Sequence, residues 1–446
     1  MAEMVQDQVL NAREAHELVG RIAKAAPIAA ALPSHARAKI LLSISEGLEK
    51  DGEAFARLIV EEVKKPLKEA RREVGRAVFC FRWASEEAKR FGGEILPLDL
   101  DANSEGRIAL TRRFPRGPAL FITPFNFPLN LVAHKVAPAI AVGTPFVLKP
   151  APAAPRTALK LAALILASDW PEEAMAVVSA PIEAAEALVR DERFGVLSFT
   201  GSAKVGWFLK SIAGKKHVVL ELGGNAWVLV ASDADVPWAA ARCAWGAYYY
   251  SGQVCISVQR ILVEAPVYAE FKDLFLKNVA ELKTGDPMDE NTDIGPLIDE
   301  AAAVRVESWI QEAVAGGGKL VLGGKRSGDR VAPTLVEDAP DSCKLSCEEA
   351  FGPVATLEKV ASRQAALDKL ASGSYGLQAG LFTNDMGAVF RSWGRLPVGG
   401  LIVNDIPAYR SDAMPYGGVR DSGTGREGVR YAMEEFTELR TLVLKP

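Results

Sequence analysis

The stretch Ala119-Leu-Phe-Ile-Thr-Pro-Phe-Asn126-Phe-Pro begins with four apolar residues and ends in a rigid turn bounded by prolines. The apolar residues predict a short strand. Downstream, similar β-type runs alternate with segments that predict helices. These runs are Phe146-Val-Leu, Ala176-Val-Val, Val196-Leu-Ser-Phe and Val218-Val-Leu. The alternation predicts a parallel sheet that is covered by helices on both faces.

A second alternating series follows and predicts a second α/β domain, which carries Cys255. Upstream of the first series, residues 7–90 are rich in Ala, Glu and Arg with apolar residues three and four apart, which predicts amphipathic helices. Residues 107–116 and 438–444 look like strands, and we expect them to form an arm that joins a neighbouring subunit's sheet. The strand-like runs of the second series are Ala226-Trp-Val-Leu-Val, Arg260-Ile-Leu-Val, Lys319-Leu-Val-Leu, Val354-Ala-Thr-Leu, Ala379-Gly-Leu-Phe and Gly400-Leu-Ile-Val.

Length and composition are those of a multidomain globular protein. The 446 residues are roughly three times a usual domain. A formal net charge of −4 gives no sign of the positive charge that binds nucleic acid or an anionic membrane surface. The N-terminal residues lack the basic and apolar regions of a signal peptide, and no apolar run reaches the roughly 18 residues of a membrane span. We therefore expect a cytoplasmic protein.

The five cysteines are too few and too scattered for a disulfide framework, so free thiols are expected. Cys343 and Cys347 are four apart, but none of the four histidines is nearby, and we expect no metal site. Cys255 differs from the others because it follows a Ser-Gly-Gln turn in Tyr248-Tyr-Tyr-Ser-Gly-Gln-Val-Cys255. Such a turn can aim a thiol and its own N–H at one point, which favours a nucleophile; the alternative is an ordinary buried cysteine.

Polar residues follow several predicted strands at the ends where parallel sheets bind ligands. Asn126 is either a helix cap or an oxyanion donor. Glu221 is either a cap for the glycine turn that follows it or a general base whose pKa is raised by burial. Lys149 ends another strand, and Gly201-Ser202 begins a helix whose N–H groups suit a phosphate.

Further along the chain, Glu348-Glu349-Ala-Phe351-Gly-Pro could hold ribose hydroxyls and brace a flat ring, or could be a plain turn.

Taken together, the motifs resemble the aldehyde dehydrogenase superfamily over essentially the whole chain. In order, they are Pro124-Phe-Asn126-Phe-Pro, Lys149-Pro, Phe199-Thr-Gly-Ser202, Leu220-Glu221-Leu-Gly-Gly, Gly252-Gln-Val-Cys255, Glu349-Ala-Phe-Gly-Pro and Pro415-Tyr-Gly-Gly-Val.

The resemblance implies an aldehyde dehydrogenase-like α/β fold with two Rossmann-like open parallel-sheet domains and a small β arm for oligomerisation. We expect residues 1–104 and 118–223 to bind the cofactor and 224–415 to form the catalytic domain. Residues 105–117 and 434–446 are expected to form the arm of a homodimer or homotetramer.

The resemblance also implies a reaction. The Cys255 thiolate would attack an aldehyde carbon, while the Asn126 side chain and the Cys255 N–H hold the oxyanion. The thiohemiacetal would give hydride to NAD or NADP, and Glu221 would activate water to hydrolyse the thioester. Contacts to the cofactor are expected from Ile122, Thr123, Pro124, Phe125, Lys149, Gly201, Ser202, Leu222, Glu349 and Phe351.

Two positions refine this expectation. Branches that pass the acyl group to coenzyme A generally lack a carboxylate at the place of Glu221, so its presence favours hydrolysis over CoA acylation. NAD-preferring members usually have a Glu three residues after the lysine, where this chain has Pro152, and we therefore predict that NADP is accepted.

An alternative function of another class is a cysteine hydrolase without redox chemistry. It would need a histidine oriented toward the thiol, and the histidines are His16, His35, His134 and His217.

Substrate-pocket positions of the family correspond to Asn130, His134, Val254, Ile256, Tyr409 and Arg410. The first two are four residues apart and share a helix face. A histidine and an arginine in a pocket favour a small polar or anionic aldehyde; the alternative is that His134 only packs and Arg410 faces solvent. The run Cys255-Ile-Ser-Val-Gln-Arg260 is similar to that of lactaldehyde, glyceraldehyde and phosphonoacetaldehyde dehydrogenases.

Overall fold

The computed structural model describes residues 5–445, and its N-terminal part is mainly helical, as the apolar spacing predicts. Two predictions extend beyond the described residues. The expected absence of a leader rests partly on residues 1–4, and the expected arm includes Pro446. One strand comes before the helices, where helix was predicted from Asp7 onward. The elements are β1 Val5–Val9, α1 Ala12–Ala31, α2 Ser34–Lys50, α3 Gly52–Val63 and α4 Leu67–Arg90.

The next segment builds the first sheet. Two strands, β2 Ile95–Pro97 and β3 Ile108–Pro115, come first and pair with each other outside that sheet. Strands and helices then alternate as predicted, and the strands are almost completely buried. They are β4 Ala119–Ile122, α5 Asn130–Val142, β5 Phe146–Lys149, α6 Pro155–Leu166, β6 Met175–Ser179, α7 Ile182–Arg190, β7 Val196–Gly201, α8 Ala203–Ile212 and β8 His217–Leu222.

The second sheet contains the six predicted strands and one more, Thr334–Glu337, which directly follows a proline and which sequence reasoning missed. The segment comprises β9 Trp227–Val230, α9 Val236–Tyr248, β10 Arg260–Glu264, α10 Tyr268–Ala280, α11 Glu300–Ala315, β11 Lys319–Leu322, β12 Arg326–Ser327, β13 Arg330–Val331, β14 Thr334–Glu337, α12 Lys344–Cys347, β15 Val354–Val360, α13 Arg363–Ala371, β16 Tyr375–Gly376, β17 Gln378–Phe382, α14 Met386–Arg395 and β18 Gly400–Val403.

The chain then returns to the first sheet. Its last elements are β19 Val419–Arg420, β20 Gly423–Thr424, α15 Val429–Glu435 and β21 Thr437–Leu444. Strand β20 pairs antiparallel with β8, with Gly423 opposite Glu221. Strand β21 pairs antiparallel with β3 along its whole length, so the two segments expected to form an arm do lie together.

The two sheets have the orders β1-β6-β5-β4-β7-β8-β20 and β11-β14-β15-β10-β9-β17-β18. Neighbouring strands are parallel except for β20 on β8 and β11 on β14. This confirms the expected α/β class with two open, largely parallel sheets. Single 3₁₀ turns occur at Ala102–Ser104, Glu172–Ala174 and Ala265–Val267, and Tyr249–Gly252 forms a turn that contains left-handed residues. No helix within residues 5–445 is long and apolar enough to cross a membrane.

A buried ion pair between Lys65 and Glu73 connects the helical layer to both sheets. The Glu73 carboxylate also accepts hydrogen bonds from the backbone N–H groups of Leu129 (2.9 Å) and Asn130 (3.0 Å), which begin α5. The Lys65 ammonium lies 3.6 Å from the centroid of the Phe127 ring and 4.5 Å from that of Tyr250. One ion pair therefore touches both the turn after β4 and the turn before Cys255.

We predict that Glu73→Ala lowers the free energy of unfolding by about 3–5 kcal/mol, because it leaves the Lys65 ammonium buried without a counter-charge. Urea denaturation measures this loss. The matched control is Glu61→Ala, which removes an exposed partner of Arg156 and should cost about 0–1 kcal/mol. Equal losses in the two variants would contradict the role given to the buried pair.

Candidate active site

A cavity of about 430 Å³ lies where the carboxyl ends of β4, β7 and β8 meet residues from the second sheet's loops. Ligands of open α/β sheets bind at such ends. The lining comprises Pro124, Phe125, Asn126, Leu131, Thr200, Gly201, Ser202, Glu221, Leu222, Gly223, Cys255, Arg305, Glu349, Phe351, Tyr416 and Glu427. The three residues predicted to be catalytic and seven of the ten cofactor residues are thus brought together.

The turn that presents Cys255 has an unusual backbone. Tyr250 (φ 48°), Ser251 (φ 56°) and Gly252 (φ 67°) are all in the left-handed region, which is costly for the first two. The Ser251 hydroxyl donates to the carbonyl of Gly295 at 2.7 Å, which holds the turn in place. A side chain on Gly252 would clash with the carbonyl of Gly352. Surrounding contacts therefore impose the conformation that aims the cysteine.

The Cys255 thiol is partly buried, and its Sγ lies 3.1 Å from the hydroxyl oxygen of Tyr416. Burial raises the pKa of the thiol to about 12, and the Glu349 and Glu221 carboxyl groups add to the increase. The hydrogen bond from Tyr416 and the charge of Arg410 oppose it. At neutral pH the resting side chain is therefore a thiol, and the thiolate must form during the reaction.

Asn126 joins the two halves of the cavity. Its buried side-chain Nδ2 donates a hydrogen bond of 2.9 Å to the carbonyl of Gln253, two residues before the cysteine. A carboxamide has two N–H donors, so one remains for a ligand oxygen. The contact places a neutral donor next to the Cys255 turn, which suits an oxyanion more than a helix cap.

The Glu221 carboxyl group is buried, and neither oxygen has a hydrogen-bond partner among residues 5–445. Burial raises its pKa well above the ordinary value, and the negative charge of Glu427 adds to this effect. A side chain on Gly417 would come within 2.7 Å of Glu221 Oε1, so a glycine leaves the carboxyl group room. An unpartnered carboxyl group on a cavity wall is equipped to exchange a proton with a bound molecule.

Glu427 is a functional candidate that sequence reasoning missed. Its carboxylate accepts hydrogen bonds from the Lys135 ammonium (2.9 Å) and the Arg410 guanidinium (3.1 Å). Burial alone would raise its pKa, but these two cations outweigh burial and bring the pKa to about 2. The cavity thus contains an ionised Glu427 carboxylate beside Glu221, whose pKa is raised, and this difference separates acid and base roles.

The opposite end of the cavity fits a dinucleotide. Ser202 begins α8 without a side-chain cap, so the helix's first N–H groups are available to a phosphate. The Glu349 carboxylate accepts from the N–H of Gly224 at 3.2 Å, and a side chain on Gly223 would clash with it. Burial raises the pKa of Glu349 to about 7.

Two aromatic rings at this end are suited to brace a planar group. Phe351 has a left-handed backbone (φ 48°), and its ring meets that of Phe125 edge to face at a centroid distance of 6.0 Å. A strained non-glycine residue at a cavity wall indicates a position that the surrounding structure imposes.

Three residues predicted to bind the cofactor do not line the cavity. Ile122 and Thr123 are buried at the end of β4, and the Thr123 hydroxyl has no partner in the described part of the chain. Lys149 ends β5 and is half-buried, and burial lowers its pKa. Contact between these residues and a cofactor stays a prediction.

None of the six residues predicted to bind the substrate lines the cavity. His134 Nε2 lies 2.7 Å from Asp412, which also binds Arg76 at 2.6 Å, so the histidine belongs to a buried polar network. The structure therefore fits the alternative, that His134 only packs, better than a place for His134 in the substrate pocket. The Asn130 N–H is occupied by Glu73, Val254 and Ile256 are buried beside the cysteine, and Tyr409 is exposed.

Arg410 neither lines the cavity nor faces solvent. Its guanidinium lies over the ring of Tyr416, 3.7 Å from the centroid, and only 6% of the side chain is exposed. Spacing along the chain could not show these contacts, because the two residues that contact Arg410, Tyr416 and Glu427, come from the glycine-rich C-terminal segment.

Six lining residues were missed, namely Leu131, Thr200, Gly223, Arg305, Tyr416 and Glu427. The Tyr-Gly-Gly and Arg-Glu-Gly turns were the available signals for the last two.

Comparison with known proteins agrees with this geometry. Residues 3–442 match the model of the aldehyde dehydrogenase family. A 3-sulfolactaldehyde dehydrogenase of Priestia aryabhattai is 43% identical over 409 residues, which are 92% of this chain and 86% of the relative. The crystal structure of aldehyde dehydrogenase 21 from Physcomitrella patens with the reaction product succinate is 42% identical (TM-score 0.96) and covers 98% of this chain and 91% of that one.

A second solved structure, glyceraldehyde-3-phosphate dehydrogenase of Methanocaldococcus jannaschii complexed with NADP, is 37% identical with a TM-score of 0.94. The match covers 98% of this chain and 96% of that one. These findings confirm the family and the fold expected from the motifs.

We predict that iodoacetamide labels Cys255 slowly at pH 7 and about tenfold faster per unit of pH, because the thiolate fraction grows in that proportion below a pKa of about 12. Peptide mass spectrometry of the cofactor-free protein between pH 7 and pH 10 measures the rate. The buried Cys80, which is labelled only if the protein unfolds, serves as an internal reference for denaturation. A labelling rate that levels off below pH 8 would show that the resting side chain is already a thiolate.

Proposed function

Because this chain belongs to the aldehyde dehydrogenase family and catalyses NAD(P)-dependent oxidation of an aldehyde to a carboxylic acid, we propose that its substrate is a small polar or anionic aldehyde. The observation that carries the reaction is the convergence of Cys255, Asn126 and Glu221 on one cavity. The names of the relatives support the substrate class, since 3-sulfolactaldehyde and glyceraldehyde 3-phosphate are both small and anionic.

In the first half-reaction the Cys255 sulfur forms a bond to the aldehyde carbon. The free N–H of the Asn126 side chain and the Cys255 backbone N–H then hold the negative oxygen. NAD(P), when bound, supplies the hydride acceptor. Ser202, Glu349 and Phe351 would hold it at the other end of the cavity.

In the second half-reaction Glu221 takes a proton from water, and the water oxygen attacks the thioester carbon. The carbon–sulfur bond breaks, which releases the acid and restores the cysteine. Glu221 must first lose its own proton, and burial raises the pKa of its carboxyl group well above the ordinary value. The activity that depends on this step should therefore rise with pH above the range in which an ordinary carboxyl group ionises.

NADP is proposed as an accepted cofactor because Pro152, three residues after Lys149, stands where a carboxylate would repel a 2′-phosphate. Burial lowers the pKa of Lys149, and no charged group within residues 5–445 contributes to the shift. The ammonium is thus not paired with a carboxylate of the described chain.

Arg410 is proposed to attract an anionic substrate tail. Its Nε is buried and has no hydrogen-bond partner within residues 5–445, although the rest of the guanidinium binds Glu427. A cation with an unused donor behind the Tyr416 ring makes the cavity more favourable for an anion. His134, which is committed to Asp412, is not needed for this role.

A homo-oligomer is proposed from the paired strands β3 and β21, the arm expected from the sequence. Several of their apolar side chains are exposed, and β18 forms an open edge of the second sheet. The exposed side chains are Ile108, Leu110, Leu439, Leu442, Val443 and Leu444. In this scheme residues 1–104 and 118–223 bind the cofactor, 224–415 carry the cysteine, and the arm of one copy meets the β18 edge of another.

A cytoplasmic location is proposed as well. The five cysteines are free, and Cys255 must stay reduced to act as a nucleophile. Reducing compartments maintain such thiols.

We predict that Glu221→Gln lowers the steady-state kcat by about 10²–10⁴-fold, because it removes the base that activates water. The first turnover should still produce one reduced cofactor per site in rapid-mixing absorbance, and the acyl group should remain on Cys255 in quenched-protein mass spectra. Cys255→Ser is the control without a burst. Free acid forming at the wild-type rate in Glu221→Gln would contradict the assignment.

We predict that Pro152→Glu lowers kcat/KM for NADP by roughly fivefold or more, because about 1 kcal/mol of repulsion acts between charges 4 Å apart in water. The efficiency with NAD should be unchanged or higher. Pro152→Gln is the control that changes the shape without adding charge. If both variants lost the same efficiency with NADP, the missing carboxylate would not explain cofactor choice.

We predict that 4-oxobutanoate has a kcat/KM roughly fivefold or more above that of butanal, because about 1 kcal/mol of attraction acts between opposite charges 4 Å apart in water. Arg410→Gln should remove most of this preference, because its kcat/KM should fall more for 4-oxobutanoate than for butanal. The surface variant Arg391→Gln should keep it. Equal efficiencies for the two aldehydes in the wild-type enzyme would rule out an anionic substrate class.

A further inference from the structure

The hydroxyl of Tyr416 lies 3.1 Å from Cys255 Sγ, and the reaction derived above does not use it. Only 4% of the tyrosine is exposed. Its backbone N–H donates to the carbonyl of Glu427 at 3.0 Å, and the Glu427 N–H donates back to the Tyr416 carbonyl at 2.7 Å. The Arg410 guanidinium covers the ring. The hydroxyl is therefore fixed beside the sulfur rather than free to rotate into solvent.

Protonation decides which of the two atoms donates. While Cys255 is a thiol, either the sulfur or the phenol oxygen can act as donor. A thiolate has lone pairs and no hydrogen, so Tyr416 must then be the donor. Burial raises the pKa of Tyr416 well above its ordinary value, and negative charge on Cys255 raises it further, so the phenol keeps its proton.

The charges around the sulfur make such a donor necessary. Glu221 and Glu349 line the same cavity as Cys255, and both disfavour a negative sulfur. Asn126 Nδ2 already donates once, to the carbonyl of Gln253, and its second N–H is assigned to the substrate oxygen. The Tyr416 hydroxyl is the group in hydrogen-bond contact with the sulfur itself.

We propose that Tyr416 is a catalytic residue whose hydroxyl donates a hydrogen bond to the Cys255 thiolate. It does so when the thiolate forms before attack, and again when sulfur leaves the thioester carbon. The phenol keeps its proton throughout, and the thiol proton passes to water. This assignment rests on the proposed function, because that function makes Cys255 the nucleophile.

Arg410 is a positioning residue in this arrangement. Its guanidinium is held by Glu427 at 3.1 Å and lies 3.7 Å from the centre of the Tyr416 ring. A cation over the ring face is attracted to the π electrons, which fixes the ring and makes the phenol a stronger donor. The two contacts connect the sulfur to the ionised carboxylate through one aromatic side chain.

The test uses Tyr416→Phe in the full chain, which removes one oxygen and keeps the ring under Arg410. Iodoacetamide labelling of Cys255, read at its peptide by mass spectrometry between pH 7 and pH 10, should be roughly 10- to 100-fold slower than in the wild type. The kcat/KM should fall by a similar factor for neutral and anionic aldehydes alike. The control Tyr248→Phe removes a buried hydroxyl that donates to Thr334 at 3.0 Å, and should leave labelling unchanged.

A second variant separates hydrogen-bond donation from packing. Incorporation of 3-fluorotyrosine at position 416 keeps the hydroxyl, changes the size little and makes the phenol more acidic, so labelling of Cys255 should be faster than in the wild type. Slower labelling in Tyr416→Phe together with faster labelling in the fluorotyrosine variant supports the proposal. Wild-type rates in Tyr416→Phe, or no acceleration by fluorotyrosine, would overturn it.

The two readouts keep this proposal distinct from the proposed function. Labelling measures the thiolate without any turnover, whereas reduction of NADP by wild-type enzyme and aldehyde measures the function. A wild-type enzyme that reduces no cofactor would refute the function and, with it, the catalytic role of Tyr416. A wild-type enzyme that turns over while Tyr416→Phe labels normally would refute the role of Tyr416 alone.

Discussion

The hydrogen bond from Asn126 to the carbonyl of Gln253 is the contact on which the active site depends, because it joins the turn after β4 of the first sheet to the turn before Cys255. The turn before Cys255 is strained. Tyr250 and Ser251 adopt left-handed backbones that cost of order 1–3 kcal/mol each. Packing must supply that energy, and the buried Lys65 ammonium against the Tyr250 ring is one of the contacts that does so.

The two carboxyl groups of the cavity, Glu427 and Glu221, differ in their tendency to carry a charge, and this difference indicates which of them exchanges a proton. Glu427 is bound by two cations and stays ionised, whereas Glu221 has no partner among the described residues and burial raises its pKa well above the ordinary value. A carboxyl group with a raised pKa is a stronger base once it has lost its proton. Burial likewise raises the pKa of the Cys255 thiol, so both groups favour their uncharged forms more than exposed side chains do.

Sequence patterns predicted most of the fold because each buried strand is a local apolar run between turns. Asn126, Glu221 and Cys255 could be selected as candidates because each stands at a strand end or in a glycine turn, and all three line one cavity. His134 could not be placed, since helical spacing shows which residues share a face but not which face meets the cavity. Tyr416 and Glu427 flank β20, which pairs with β8 by a long-range contact, and the Tyr-Gly-Gly and Arg-Glu-Gly turns next to them do not specify that contact.

The most direct test of hydrolytic aldehyde oxidation is to identify the product when the wild-type enzyme turns over a short aldehyde with NADP and excess coenzyme A. Chromatography with mass detection should find one free carboxylic acid for each NADPH and no acyl-CoA, because Glu221 directs water to the thioester. Accumulation of acyl-CoA in proportion to NADPH would contradict the account and remove the role assigned to Glu221.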